Sequence, residues 1–312
     1  MMTTLPGVYV TTEELLSYEA STRQMALNFS RVTSSLLQGN RPSRLNGRGG
    51  AFDQVRLYQH GDDVRDIDWN VTARMRGTPY IRVFKEERER PFLLLIDQTQ
   101  DMFFGTRLQL KSVLAARIAA QMLWMAHHKK QPYGLVIAGK EQVRAHAPRH
   151  HRSHLTVLLN ELALCNQQLS AAPATTRASE TLMSALLQLR RLVSGNALVT
   201  MISDFNQVDD SGWQQITQLA LRAQTLALPV YDGIISDWPV QGQLLATWGG
   251  LVAEFDFSSR HQRKRVLERA QANIASLRQR LAEAGIAGHA MTTWLPAEGQ
   301  LSDALTMTGT PP

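Results

Sequence analysis

Residues 91–102, PFLLLIDQTQDM, constrain the rest of the chain most. Phe92, Leu93, Leu94, Leu95 and Ile96 make a short continuous apolar run with charge on both sides. A run that short, apolar on both faces, reads as the central strand of a sheet covered from above and below. It stops at Asp97, Thr99 and Asp101, three oxygen-bearing side chains at alternate positions. Ligands of open parallel sheets bind outside the carboxyl ends of the strands. Carboxylate and hydroxyl oxygens there suit a hard ion such as Mg2+ or Mn2+.

From this strand onward the pattern alternates. A helix is expected over residues 107–128, with Leu110, Leu114, Ile118, Met122 and Met125 on one face. Strands follow at 133–138 and 142–145, then helices at 153–169 and 181–193. A second buried strand, 197–202, also ends in polar residues, Ser203 and Asp204. A helix at 213–226, a strand at 229–235, a strand pair around Gly249-Gly250 and a helix at 262–284 stopping at Gly285 come next. The last strand is expected at 289–294. Repeated strand–helix alternation gives an α/β fold, a doubly wound mostly parallel sheet flanked by helices. The expected division is an N-terminal helical and β extension over 1–90, the sheet domain over 91–295, and a poorly ordered tail over 296–312.

The extension opens with a helical pattern over 11–38 and a breaker-rich loop over 39–50. Its charged block, GDDVRDIDWNVTAR, carries Asp62, Asp63, Arg65, Asp66, Asp68, Trp69 and Arg74. Two readings stand: a docking surface for a partner, or an internal ion-pair lattice.

Charge and cysteine usage narrow the function classes. The 33 Lys and Arg against 27 Asp and Glu leave a net charge of +6, spread thinly along the chain. A nucleic-acid binder concentrates its basic residues on one face, so no nucleic-acid partner is expected. Cys165 is the sole cysteine, so no intramolecular disulfide forms and a reducing cytoplasm is expected. The N-terminus shows no secretory pattern and no apolar run reaches the ~20 residues of a membrane span. There is no G-x-x-x-x-G-K-[ST] loop for ATP and no G-x-S-x-G elbow. The histidines of RAHAPRHHRSH read as a solvated basic loop, since zinc needs further ligands. Trp213, Trp238, Trp248 and Trp294 read as core or rim packing.

The block VRLYQHGDDVRDIDWNVTAR, then FKEERERP, the apolar strand with Asp97, FFGT ahead of Leu110-Lys111, and later VTMISDF and PVYDGIISDWP resemble the domain of unknown function 58 family. The similarity runs from about residue 40 to 295. It implies a von Willebrand factor A-like fold and a non-enzymatic role as adaptor or chaperone-like partner of a MoxR-type AAA+ ATPase and its client. It also implies a metal-ion-dependent adhesion site of Asp-x-Ser-x-Ser type. Carried over, Asp97 is its first Asp, Thr99 stands for the first Ser, Asp101 departs from the second Ser, and Asp204 is the fourth-strand Asp. For the Thr of the second loop, Thr175, Thr176 and Thr181 are candidates, with Glu180 as another occupant. The contrasting reading is a metal-dependent hydrolase using the same carboxylates.

Overall fold

The computed structural model describes residues 6–23, 25, 51–59, 62–75, 78–85, 90–172, 174–235, 243–248, 251–256 and 259–307. The loop expected over 39–50, the N-terminal helical pattern beyond Met25, Trp238 and the side chain of Trp248 lie outside the described residues. In chain order the first elements are α1 (Thr12–Ser17), β1 (Ala51–Leu57), α2 (Trp69–Arg74) and β2 (Tyr80–Lys85). Then come β3 (Phe92–Asp97), α3 (Lys111–His128), β4 (Tyr133–Ala138), β5 (Val143–Arg149), α4 (Arg152–Gln167) and α5 (Ala178–Leu192). The remainder is β6 (Leu198–Ser203), α6 (Asp210–Ala220), β7 (Gln224–Tyr231), β8 (Gln243–Trp248), β9 (Leu251–Asp256), α7 (Arg260–Glu283), β10 (Ala287–Gly288), β11 (Met291–Thr292) and α8 (Ala297–Met307).

Strand β3 lies at the middle of the main sheet, whose order is β10-β7-β6-β3-β4-β5, with β11 also on β7. All neighbours pair in parallel except the edge strand β5, which is antiparallel to β4. Its side chains split by strand period. Phe92, Leu94 and Ile96 enter the core formed with α3, α4 and α8, whereas Leu93 and Leu95 enter the core formed with α5, α6 and α7. Every residue of β3 is buried, as an apolar run serving two layers requires. The chain leaves β3 toward β4 on one side and returns to β6 on the other. The order therefore reverses between β3 and β6, and their carboxyl ends flank the switch-point crevice.

The chain forms two compact units, Met1–Leu36 with Arg90–Pro312, and Leu37–Glu89. The first segment thus groups with the sheet, not with an extension running to residue 90. Val10 and Leu15 are fully buried in the α3–α4 core. The Val10 N–H donates to Asn166 Oδ1 at 2.9 Å, Trp124 Nε1 donates to the Leu15 carbonyl at 3.1 Å, and Arg117 pairs with Glu14 at 2.7 Å.

The expected poorly ordered tail is corrected as well. Residues 297–307 form α8, which buries Ala297, Leu301 and Ala304 at a four-then-three spacing in the same core. Gln300 anchors it by accepting the Thr292 N–H at 2.6 Å and donating to the Thr292 carbonyl at 2.9 Å. The expected basic loop around the histidines is instead strand β5 and the start of α4. There His154 stacks on Tyr133 with ring centroids 5.9 Å apart.

The smaller unit holds the charged block. Strands β1 and β2 pair antiparallel, and a 3-10 turn, Val64–Asp66, and α2 connect them. The acids of the block split from its other side chains. Asp62 takes both guanidinium nitrogens of Arg56, at 2.7 and 2.9 Å, and the Gln59 N–H at 2.7 Å. Asp63 caps the 3-10 turn and Asp68 caps α2. Trp69 is 69% exposed and Val64 61%, and Arg65 and Arg74 are also exposed.

Candidate functional site

The switch-point crevice is built from strand-end geometry. Ile96 of β3 lies beside Ile202 of β6, so the next residues, Asp97 and Ser203, stand side by side on the Leu93–Leu95 face. Ser203 donates its hydroxyl to Asp97 Oδ2 at 2.6 Å. Asp97 Oδ1 accepts the Thr99 N–H at 2.9 Å and the Thr99 hydroxyl at 2.7 Å. The chain then turns sharply after β6. Phe205 adopts φ +57, a left-handed conformation rare outside glycine, and its N–H returns to Ser203 Oγ at 2.9 Å. That turn presents Asp204, whose Oδ1 accepts the Asn206 N–H at 3.0 Å.

Asp97 and Asp204 are 1% and 3% exposed. Burial pushes the Asp97 carboxyl up to about 6, and the negative charge of Asp204 adds to the shift. The Ser203 and Thr99 hydrogen bonds pull the other way without reversing it. Two acids on adjacent strand ends thus share one low-dielectric crevice.

Their counter-charge is Lys111, the first residue of α3. Its ammonium pairs with Asp204 Oδ2, with the lysine side chain 10% exposed. Its backbone N–H donates to the Phe104 carbonyl at 2.8 Å, and Nζ stands 6.0 Å from the Phe104 ring. A cation at a helix N-terminus opposes the macrodipole, and burial adds a desolvation cost. The Asp204 pair offsets both.

Of the four metal ligands expected from sequence, three gather here: Asp97, Thr99 and Asp204. Asp101 sits in the 3-10 turn Gln100–Met102 and accepts from Gln207 Nε2, which ties the loop after β3 to the loop after β6. The second-loop candidates are held by other partners. Thr175 and Thr176 donate backbone N–H groups to Glu141 at 3.0 and 3.1 Å, and the Thr181 hydroxyl donates to its own helix at 3.4 Å. Glu180 lies in the first turn of α5. Among the described residues, no group of three or more His, Cys, Asp or Glu side chains is assembled to hold a metal.

The donor set decides whether a divalent ion fits. Two carboxylates and two hydroxyls are hard oxygen donors of the right class. The ammonium on Asp204 is not compatible with them. At 4 Å two unit charges repel by about 4 kcal/mol near a protein surface, and a dication about doubles that. With Lys111 in place the residues do not fit Mg2+ or Mn2+.

A third strand-end acid, Asp232 after β7, escaped sequence reasoning. It is 3% exposed and accepts the Thr106 N–H at 2.9 Å, the Thr106 hydroxyl at 2.5 Å, the Thr293 hydroxyl at 2.6 Å and the Ile234 N–H at 3.0 Å. Trp294 Nε1 donates to Thr106 Oγ1 at 3.0 Å, and the Arg107 guanidinium lies 3.6 Å over the Trp294 ring. Gly233 must be glycine here, because a Cβ would come within 2.3 Å of that ring. The sequence cue was an acid at the end of an apolar strand, the same cue that singled out Asp97. Lys111 left no such cue, because the helical pattern begins at Arg107 and hides the helix start that the structure places at Lys111.

Three comparisons with known proteins bear on this chain. The family described as "Protein of unknown function DUF58" matches residues 54–278. Uncharacterized protein Mb1516 of Mycobacterium bovis and uncharacterized protein Rv1480 of Mycobacterium tuberculosis are each 30% identical over 239 residues, 76% of this chain and 73% of theirs. Among solved structures, a conserved hypothetical protein BatB from Bacteroides thetaiotaomicron is similar with TM-score 0.41 and 10% identity, over 70% of this chain and 98% of that one. A von Willebrand factor type A protein from Catenulispora acidiphila is similar with TM-score 0.35 and 12% identity, over 74% of this chain and 43% of that one. The chain belongs to the DUF58 family.

Proposed function

We propose that this DUF58 protein is a non-enzymatic interaction module of the cytoplasm, an adaptor that docks on a MoxR-type AAA+ ATPase and its client. One observation carries the reading. In the GDDVRDIDWNVTAR block, Asp62, Asp63 and Asp68 hold the local backbone or Arg56, while Trp69 and Val64 are 69% and 61% exposed beside exposed Arg65 and Arg74. Aromatic and arginine side chains dominate binding energy where proteins meet. The choice of partner class follows from the resemblance of this block to its family.

The crevice supports the same reading over hydrolysis. A metal-dependent hydrolase uses its carboxylates to hold the ion that activates water. Here Asp97 accepts from Thr99 and Ser203, and Asp204 accepts from Asn206 and Lys111.

The test is binding of the full chain to a purified MoxR-type ATPase, with and without ATP. Trp69→Ala should weaken binding by roughly tenfold or more, the scale of a hot-spot residue. If the wild type ignores that ATPase in both nucleotide states, the adaptor role fails. Phosphoester turnover abolished by Asp204→Ala would establish the hydrolase instead.

A further inference from the structure

The Lys111–Asp204 pair has a consequence for what the crevice can bind. We infer that the Lys111 ammonium takes the place of a divalent cation between β3 and β6, so that the crevice is metal-independent and opens to Mn2+ or Mg2+ only when that ammonium is removed.

Three observations lead there. First, nothing local explains a buried lysine at this position. Lys111 is the first residue of α3, where the macrodipole favours an acid, and it is 8% exposed, where solvent cannot stabilise its charge. Its ammonium pairs with Asp204, 93 residues further along the chain. Second, without it the crevice holds two carboxylates on adjacent strand ends, whose mutual repulsion a cation or a shared proton must relieve. Third, the remaining side chains are oxygen donors: Asp97, Asp204 and the hydroxyls of Thr99 and Ser203, both of which touch Asp97. Such a set favours a hard cation over zinc or copper. Lys111 therefore separates a structural crevice, in which Asp204 is already ion-paired, from a metal centre.

The inference is independent of the docking role proposed above, which rests on the Trp69 block. Binding to an ATPase can fail without moving Mn2+ affinity, and the reverse holds equally.

Mn2+ paramagnetic resonance on the full chain gives the bound fraction directly, and thermal unfolding in Mg2+, Mn2+ or matched NaCl gives the linked stability. Wild type should leave Mn2+ free up to about millimolar concentration and unfold at one temperature in all three salts. Lys111→Ala should bind one Mn2+ at least roughly tenfold more tightly than wild type and should be stabilised by it. Lys111→Arg, which keeps the charge, should behave as wild type. Adding Asp204→Asn to Lys111→Ala should abolish the gain. Saturable one-to-one Mn2+ binding by wild type, lost on Asp204→Asn, overturns the inference, as does a folded Lys111→Ala chain that ignores Mn2+. Should Lys111→Ala not fold in any of the buffers, Lys111→Gln replaces it, with the same outcomes supporting or overturning the inference.

Discussion

At the scale of single residues, the protonation of Asp97 carries the most information. Its carboxyl is raised in the folded chain to about 6, against 3.8 when unfolded, because burial and the Asp204 charge both oppose ionisation. The native state therefore binds the extra proton between those values. Stability from this group is greatest below about pH 4 and declines as pH rises through 6, the reverse of a salt-bridged acid. Asp97→Asn lacks that decline. The stability advantage of wild type over Asp97→Asn should shrink between pH 4 and 7. Urea unfolding of both chains across that range checks it, and a constant difference would remove the shared-crevice electrostatics. Asp97 and Asp204 were legible in the sequence because an acid ending an apolar run is a local pattern. Lys111 was visible only as a family motif residue. What it faces is Asp204, and no spacing along the chain shows that contact.

At the scale of elements, buried runs read correctly and boundaries less so. Strand β3 was legible because its five apolar residues serve two helical layers at once. The start of α3 was not, because Arg107, Leu108 and Gln109 continue the helical pattern. The N-terminal segment competes for this backbone. The Leu110 N–H donates to the Gly7 carbonyl at 2.8 Å, and Gly7 at φ +81 sits so close that a Cβ would lie 2.4 Å from the Leu108 carbonyl oxygen. The end of α3 packs against the start of β4 and α4 through a line of rings. Trp124, His127, Tyr133, His154 and His146 follow one another at centroid spacings of 5.7 to 6.3 Å. A helix C-terminus favours positive charge, yet burial is the larger influence and lowers both His127 and His154, with His128, His146, Arg149 and Arg152 adding repulsion. For a base lowered in the native state, the unfolded chain binds more protons, so stability drops as pH falls below about 6.5. The Nε2 of His154 is buried without a hydrogen-bond partner, and backbone hydrogen bonding at Tyr133 and Ala147 opposes the lowering without reversing it. His154→Phe should keep the stack on Tyr133 and lose less stability than wild type between pH 7.5 and 5.5. An identical acid response from both chains would show that the ring cluster does not govern it.

At the scale of the whole molecule, the sheet domain is completed from outside the span in which its strands alternate. Reading the chain as blocks assigned residues 1–90 to an extension and 296–312 to a tail, because composition changes at those points. Packing follows apolar side chains instead. Val10 and Leu15 from the first segment and Leu301 and Ala304 from α8 enter the same core as α3. Each end covers part of a helix whose buried positions run almost without a break from Val113 to Ala126, more than one sheet face can shield. A helix apolar nearly all round needs neighbours on every side. Two truncated chains, one starting at residue 90 and one ending at 295, should therefore each unfold at lower urea than the full chain, with exposed core surface reported by dye binding. Leu15→Ala gives the same answer without truncation. It should cost about 2–5 kcal/mol, the range for emptying a buried leucine site, with little change in urea dependence. A chain confined to residues 91–295 that matched full-length stability would show that α3 needs neither end, and the burial of Leu15 and Leu301 would then be incidental to the fold.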